Sequence, residues 1–166
     1  MLNSPVQLLT EFLAHITDAA VITSLVTPDV TWVSLSFDDP DLTRVMPWCG
    51  TFAGPRAIIE TLANVRRSWR VLEFKPMHVF GDDRHAAAFG SFTYESTVLR
   101  KRVTSPFAVF MLAEAGRITS MWFMEDTFAT AASFQESGTA RYRTNPNGDA
   151  VELSVSPQGL SATASS

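Results

Sequence analysis

Apolar residues recur every three or four positions at Leu8, Leu9, Phe12, Leu13 and Ile16, which predicts an opening helix with one apolar stripe. Ser4 suits its N-cap and Pro5 its first turn. Asp18 can cap a second, short helix through Leu25, and Thr27-Pro28-Asp29 stops it. Val30 to Ser36 alternates and is rich in β-formers, so it reads as a strand. Residues 37–53 hold Pro40, Pro47 and Gly50 and read as a long loop. Gly54-Pro55 opens a third helix, which buries Ile58, Ile59, Leu62, Val65 and Trp69.

From Val71 the period shortens from that of a helix to that of a sheet. Strands are predicted at about 71–80, 85–97, 102–113 and 117–125. The turns are Gly81-Asp82-Asp83-Arg84, Leu99 to Arg102, and the tight Glu114-Ala115-Gly116-Arg117. Connections this short make the strands antiparallel neighbours. A last short helix runs from Thr127 to Gln135. Beyond Glu136 the chain turns to Ser, Thr, Gly, Ala and Pro, although Val151, Leu153 and Val155 allow an edge strand. The organisation is one domain over residues 1–135 and a flexible or loosely docked tail over 136–166. Helices gathered against an antiparallel sheet make the fold class α+β.

The strands are apolar on both faces. Phe107 and Val109 alternate with Ala108 and Phe110, and Met121 and Phe123 alternate with Trp122 and Met124. A sheet wet on one side would show polar residues at every second position. One face can pack on the helices; the other must meet a cavity, a second subunit, or both.

Composition narrows the classes of function. Hydrophobic residues make up 46% of the 166 and charged residues 18%, enough for a sizeable core. The net charge is −4 and no basic stripe runs along the chain, so a nucleic-acid partner is not expected. Arg66, Arg67, Arg70 and Arg100-Lys101-Arg102 read as solvated helix face and hairpin tip. Cys49 is the single cysteine, which excludes an intrachain disulfide and a thiolate cluster. His15, His78 and His85 form no metal-spaced pair, so no metal or other cofactor is expected. No signal-like or membrane-length apolar run occurs, and the expected location is cytoplasmic.

Four stretches carry a resemblance: Pro28-Asp29-Val30-Thr31-Trp32; Gly50-Thr51-Phe52-Ala53-Gly54-Pro55-Arg56-Ala57-Ile58; Gly116-Arg117-Ile118; and Glu125-Asp126-Thr127. In this order, over residues 5–135, the chain resembles the nuclear transport factor 2-like superfamily in its SnoaL-like and ketosteroid-isomerase-like branch. The resemblance implies a cone. A strongly curved antiparallel or mixed sheet wraps three N-terminal helices, a short C-terminal helix follows, and an apolar pocket takes a hydrophobic small molecule. It also implies a homodimer. The ketosteroid isomerase base would fall on Ser34 and its oxyanion donors near Phe12 and Ala108, none of which can serve. The limonene epoxide hydrolase set falls on Trp32, Ser34 and Phe123 and is equally absent. The cyclase-type base of the SnoaL branch falls near Asp126.

Asp126 could equally cap the last helix, and strand parity favours its neighbour: if Phe123 faces inward, so does Glu125. The candidate acid–base residues are therefore Asp126 and Glu125, with Tyr94 or His78 to polarise a carbonyl. The candidate ligand wall is Trp32, Ser34, Trp48, Phe52, Phe92, Phe107, Phe110 and Phe123. Cys49 has no base nearby in sequence to activate it. Three readings follow. The first is a cofactor-independent isomerase, cyclase or dehydratase acting on a hydrophobic carbonyl compound. The second is a small-molecule binder without turnover, and the third a dimeric scaffold.

Overall fold

A computed structural model describes residues 3–143 and 146–156. Helix α1 (Pro5–Ala14) starts on a capping box: Ser4 Oγ accepts from the Gln7 amide, and the Gln7 side chain accepts from that of Ser4. Its stripe of Leu8, Leu9, Phe12 and Leu13 is buried. Asp18 caps α2 (Ala19–Leu25) by accepting from the Ala20 and Val21 amides. Strand β1 (Val26–Ser34) follows at once, four residues earlier than its pattern predicts.

The segment read as a loop over 37–53 contains two elements, α3 (Pro40–Val45), capped by Asp39, and β2 (Gly50–Ala53). Gly54, at φ 83°, then turns the chain into α4 (Pro55–Ser68). The expected three N-terminal helices are thus four with the short α3. The sheet continues through β3 (Trp69–Gly81), β4 (His85–Ser96), β5 (Arg102–Glu114) and β6 (Arg117–Glu125), and α5 (Thr127–Ala132) closes the cone. The turn between β5 and β6 has Ala115 and Gly116 both at positive φ, the hairpin geometry that matches strand twist.

Six strands lie in the order β2-β1-β6-β5-β4-β3. All pairs are antiparallel except β1 with β6, where Trp32 stands beside Met121 and Ser34 beside Phe123. The sheet is therefore mixed. Its concave side holds α1 and α4 over a core of Leu8, Phe12, Trp32, Ile58, Trp69, Phe92, Met111 and Met121.

Charge pins the far end of the sheet. The Glu95 carboxylate is shielded from water and meets Arg70, Arg100 and Arg102 at 3.0–3.1 Å. The Arg102 hydrogen bond, helped by the other two guanidiniums, holds Glu95 below the usual carboxylate range. Half of what reads in sequence as a solvated basic tip is an anchor joining β3, β4 and β5.

The outer face leaves Phe80, Phe89, Phe110, Trp122 and Met124 exposed. Phe110 was expected on the cavity wall. It sits three residues from Phe107, an odd separation on one strand, so the two rings take opposite faces.

In the tail, β7 (Gly138–Tyr142) and β8 (Val151–Val155) pair with each other in a separate two-stranded ribbon, so the strand at 151–155 does not extend the main sheet. Residues 144–145 and 157–166 of the tail lie outside the described residues. Among the described residues no helix is long and apolar enough to cross a membrane.

Gly90 shows how closely the sheet is packed. A Cβ there would stand 2.3 Å from the Lys75 carbonyl oxygen and 2.5 Å from the Phe107 ring. Gly90→Ala is expected to lower stability by about 2–3 kcal/mol in denaturant unfolding. A loss below about 0.5 kcal/mol would mean that β3 shifts aside freely.

Candidate functional site

The inward residues of β1, β4 and β6 converge with α4 and the segment before β2 on one cavity. It is bounded by Trp32, Ser34, Leu35, Trp48, Thr61, Leu62, Val65, Trp69, Phe74, Tyr94, Phe123 and Glu125, with Ile16 at its edge. Its free volume is about 40 Å³, room for roughly three water molecules. Six aromatic rings stand in the wall: Trp48 packs on Trp69 at 5.0 Å between centroids, and Trp69 on Tyr94 at 5.6 Å.

Parity brings Glu125 here. Met121 and Phe123 point inward, Trp122 and Met124 outward, and Glu125 falls on the inward set. Its Oε1 is buried without a hydrogen-bond partner. Burial pushes its pKa from 4.5 up to about 7; a hydrogen bond with the Thr130 hydroxyl opposes the rise, and the Asp126 charge adds to it. Thr130 has one proton to give, and its Oγ1 lies 3.0 Å from the Asp126 carbonyl oxygen as donor.

Further polar groups lie on this wall. Tyr94 forms no side-chain hydrogen bond among the described residues, and burial, reinforced by the Glu125 charge, holds its hydroxyl above the usual phenol range. Trp32 has its Nε1 buried without a partner. Trp69, by contrast, is spoken for: its Nε1 donates to Ser133 Oγ at 3.0 Å. Ser34 is buried against the same cavity.

The remaining sequence candidates lie elsewhere. Asp126 is the N-cap of α5: its Oδ1 accepts from the Ala129 amide at 3.0 Å, and its own amide donates to Ser105 Oγ at 3.0 Å. The strand ends at Glu125, so Asp126 turns outward to solvent and does not reach the cavity. His78 is exposed on β3, near the irregular register beside Pro76, and does not line the cavity. Phe92 and Phe107 are buried behind the wall, Phe107 stacked on Phe74 and Phe123 at 4.7 and 5.4 Å. Phe52 is half-buried on β2 and does not line the cavity. Burial, with the charges of Glu125 and Asp39 adding, pushes the Cys49 thiol up to about 12, so it is no nucleophile at neutral pH.

Sequence reasoning missed Trp69, Phe74, Thr61 and Thr130. Trp69 carried a signal, an indole at the helix-to-strand junction; Thr130 carried none, because its role depends on the turn that α5 makes after Glu125. Among the described residues no group of three or more His, Cys, Asp or Glu side chains is placed to hold a metal ion.

The SnoaL-like domain model matches residues 8–121. The chain belongs to this family. Among the relatives of the SnoaL-like chain is patulin biosynthesis cluster protein F of Penicillium expansum, 42% identical over 135 residues, which cover 79% of this chain and 68% of that protein. A nuclear transport factor 2-like protein of Burkholderia thailandensis superposes with a TM-score of 0.69 at 18% identity, over 80% of this chain and 98% of its own. TerC, co-crystallised with polyporic acid, superposes with a TM-score of 0.64 at 23% identity, over 79% and 98%. These two structures speak for the fold alone.

The raised Glu125 pKa has a sign that can be checked. The folded chain holds this proton more tightly than the unfolded one, so Glu125 contributes fully to stability below pH 4.5, and the contribution is lost as pH rises toward 7. Relative to Glu125→Gln, the unaltered protein is expected to lose on the order of 3 kcal/mol across that window. Parallel stability curves for the two proteins between pH 4.5 and 8 would show an ordinary carboxylate.

Proposed function

We propose that this SnoaL-like protein catalyses proton transfer at a carbon beside a carbonyl group of a hydrophobic small molecule, with no cofactor. The observation that carries the reading is the partnerless Glu125 Oε1 in an aromatic cavity that also presents Tyr94. A carboxylate with a pKa near 7 is divided between base and acid at neutral pH, which suits a group that must both take and return a proton.

In this scheme the Glu125 carboxylate removes the proton from the carbon next to the carbonyl. The electron pair moves onto the carbonyl oxygen, giving an enolate. The Tyr94 hydroxyl, which stays protonated, and the Trp32 Nε1–H donate to that oxygen as its charge develops. The enolate then has three exits: reprotonation at the γ-carbon where a neighbouring double bond extends it to a dienolate (isomerisation), loss of a β-hydroxyl as water after protonation (dehydration), or attack on a second carbonyl (cyclisation). Glu125, now protonated, supplies the proton that each exit consumes. The biosynthesis-cluster name of the 42%-identical relative favours this reading over a scaffold.

Glu125→Gln should lower turnover of an identified substrate by about 10²–10⁴-fold, and Tyr94→Phe should lower it by roughly 10–10²-fold. Turnover should rise with pH along a curve centred near the Glu125 value. Asp126→Asn should leave turnover unchanged, because asparagine also caps a helix. Unchanged turnover in Glu125→Gln excludes the base assigned here.

We further expect a second copy of the chain to cover the outer face. Phe80, Phe89, Phe110, Trp122 and Met124 leave roughly 500 Å² of apolar surface there, against ~800 Å² per partner in a standard interface. Sedimentation should show a dimer at micromolar concentration, and Phe110→Glu should give monomers. A monomer in the unaltered protein at tens of micromolar would dismiss this interface.

A further inference from the structure

The Glu125 cavity is too small for the molecule its chemistry calls for. About 40 Å³ admits a carbonyl head, whereas pockets for organic ligands usually run from ~300 to 1,000 Å³. A second concavity of about 930 Å³ lies between α3, α5 and the β7–β8 ribbon. Leu42 and Val45 of α3, Phe128 and Ala131 of α5, and Tyr142 and Leu153 of the ribbon line it. Several of these apolar side chains are left open to water: Phe128 is 61% exposed and Val45 46%.

One side chain lies between the two spaces. Phe134 lines the outer groove, and its ring lies 5.9 Å from that of Trp48 and 4.9 Å from that of Trp69, two walls of the inner cavity. The backbone that carries Phe134 is a single turn held by short bonds, Ser133 Oγ to the Thr130 carbonyl at 2.7 Å and the Phe134 amide to the Ala131 carbonyl at 3.0 Å. The same turn carries Thr130, which touches Glu125. Acids frame the groove: Asp39 and Asp41 line it, and Asp41 meets Arg44 only at 3.9 Å. An anionic occupant would be repelled there.

We infer that the α3–α5–ribbon groove is the outer part of the ligand site, holding the apolar body of a neutral molecule whose carbonyl head passes Phe134 to reach Glu125. This rests on the acid–base reading of the inner cavity and adds the substrate class: a molecule with an uncharged apolar portion of ring size or larger. The two unpartnered polar atoms inside, Glu125 Oε1 and Trp32 Nε1, define the end that receives the head, since both need a hydrogen-bonding guest. Phe134 is a gating residue in this scheme and has no part in the bond-making steps.

The test uses the protein's own indoles. Of four tryptophans, Trp32, Trp48 and Trp69 line the inner cavity, and Trp122 lies on the outer sheet face. In a Trp122→Phe background, fluorescence therefore reports on the cavity. The probe is 2-acetylnaphthalene, a neutral ring-bearing ketone, with acrylamide as a small neutral quencher. Phe134→Ala should make acrylamide quenching several-fold stronger and should speed probe association by roughly tenfold, with Phe134→Leu intermediate. Leu153→Asp, which charges the groove without touching the cavity, should weaken probe binding by roughly tenfold.

Equal quenching and equal association rates in Phe134→Leu and the parent, both folded by circular dichroism, would overturn the gate. Equal affinity in Leu153→Asp, or no quenching by the probe in any variant, would overturn the outer site. The acid–base reading fails separately, through unchanged turnover in Glu125→Gln, which leaves the probe measurements as they were.

Discussion

The alternation of β6 is the constraint from which the rest follows. Its inward set ends on a carboxylate, in a place walled by Phe123, Trp32 and Tyr94. Placing an unpaired carboxylate oxygen there costs about 1–3 kcal/mol relative to a satisfied one. The fold tolerates that cost because the surrounding rings, the α1 stripe and the parallel β1–β6 pairing bury so much apolar surface. The protein resolves the conflict by protonation: the group is held midway between acid and base, and a site with chemical capacity results from packing.

The chain that leaves β6 completes the site. Asp126 is tied by its amide to Ser105 and caps α5 with its side chain, so the backbone turns sharply after Glu125. That turn swings Thr130 back against Glu125 and Phe134 onto Trp48 and Trp69. This six-residue helix and the turn that follows it thereby set a hydrogen bond of the carboxylate, lock an indole through Ser133, and place Phe134 between the two spaces. A residue that looks catalytic in sequence, Asp126, has the different task of fixing where its neighbours go.

Much of this is legible in the sequence. Helix caps at Ser4 and Asp18 and the meander from β3 to β6 follow from residue type and period; parity ties Glu125 to the face of Phe123 but leaves open which of Glu125 and Asp126 meets the cavity. What escaped was governed by contacts distant in sequence. Strand β1 begins at Val26 in spite of Pro28 because β6 supplies the partner; the short α3 and β2 start on Pro40 and Gly50, which alone suggest a loop, and β2 forms by pairing with β1. His78 was a candidate through residue type only, and a long edge strand with a register shift at Pro76 leaves it in solvent. Phe110 was assigned with Phe107 although an odd spacing separates them. The ribbon at 138–155 pairs only with itself, which no local alternation could distinguish from an added edge.

Leu35 carries a further consequence. It follows β1 at φ 64°, a left-handed backbone that a γ-branched residue adopts at a cost of roughly 1–2 kcal/mol, and it is buried on the cavity wall. Glycine would relax the backbone there and would leave a hole where the isobutyl group now stands. Emptying a buried leucine site costs about 2–5 kcal/mol, more than the kink would release, so the side chain that shapes the chamber also holds the chain in its unfavourable bend.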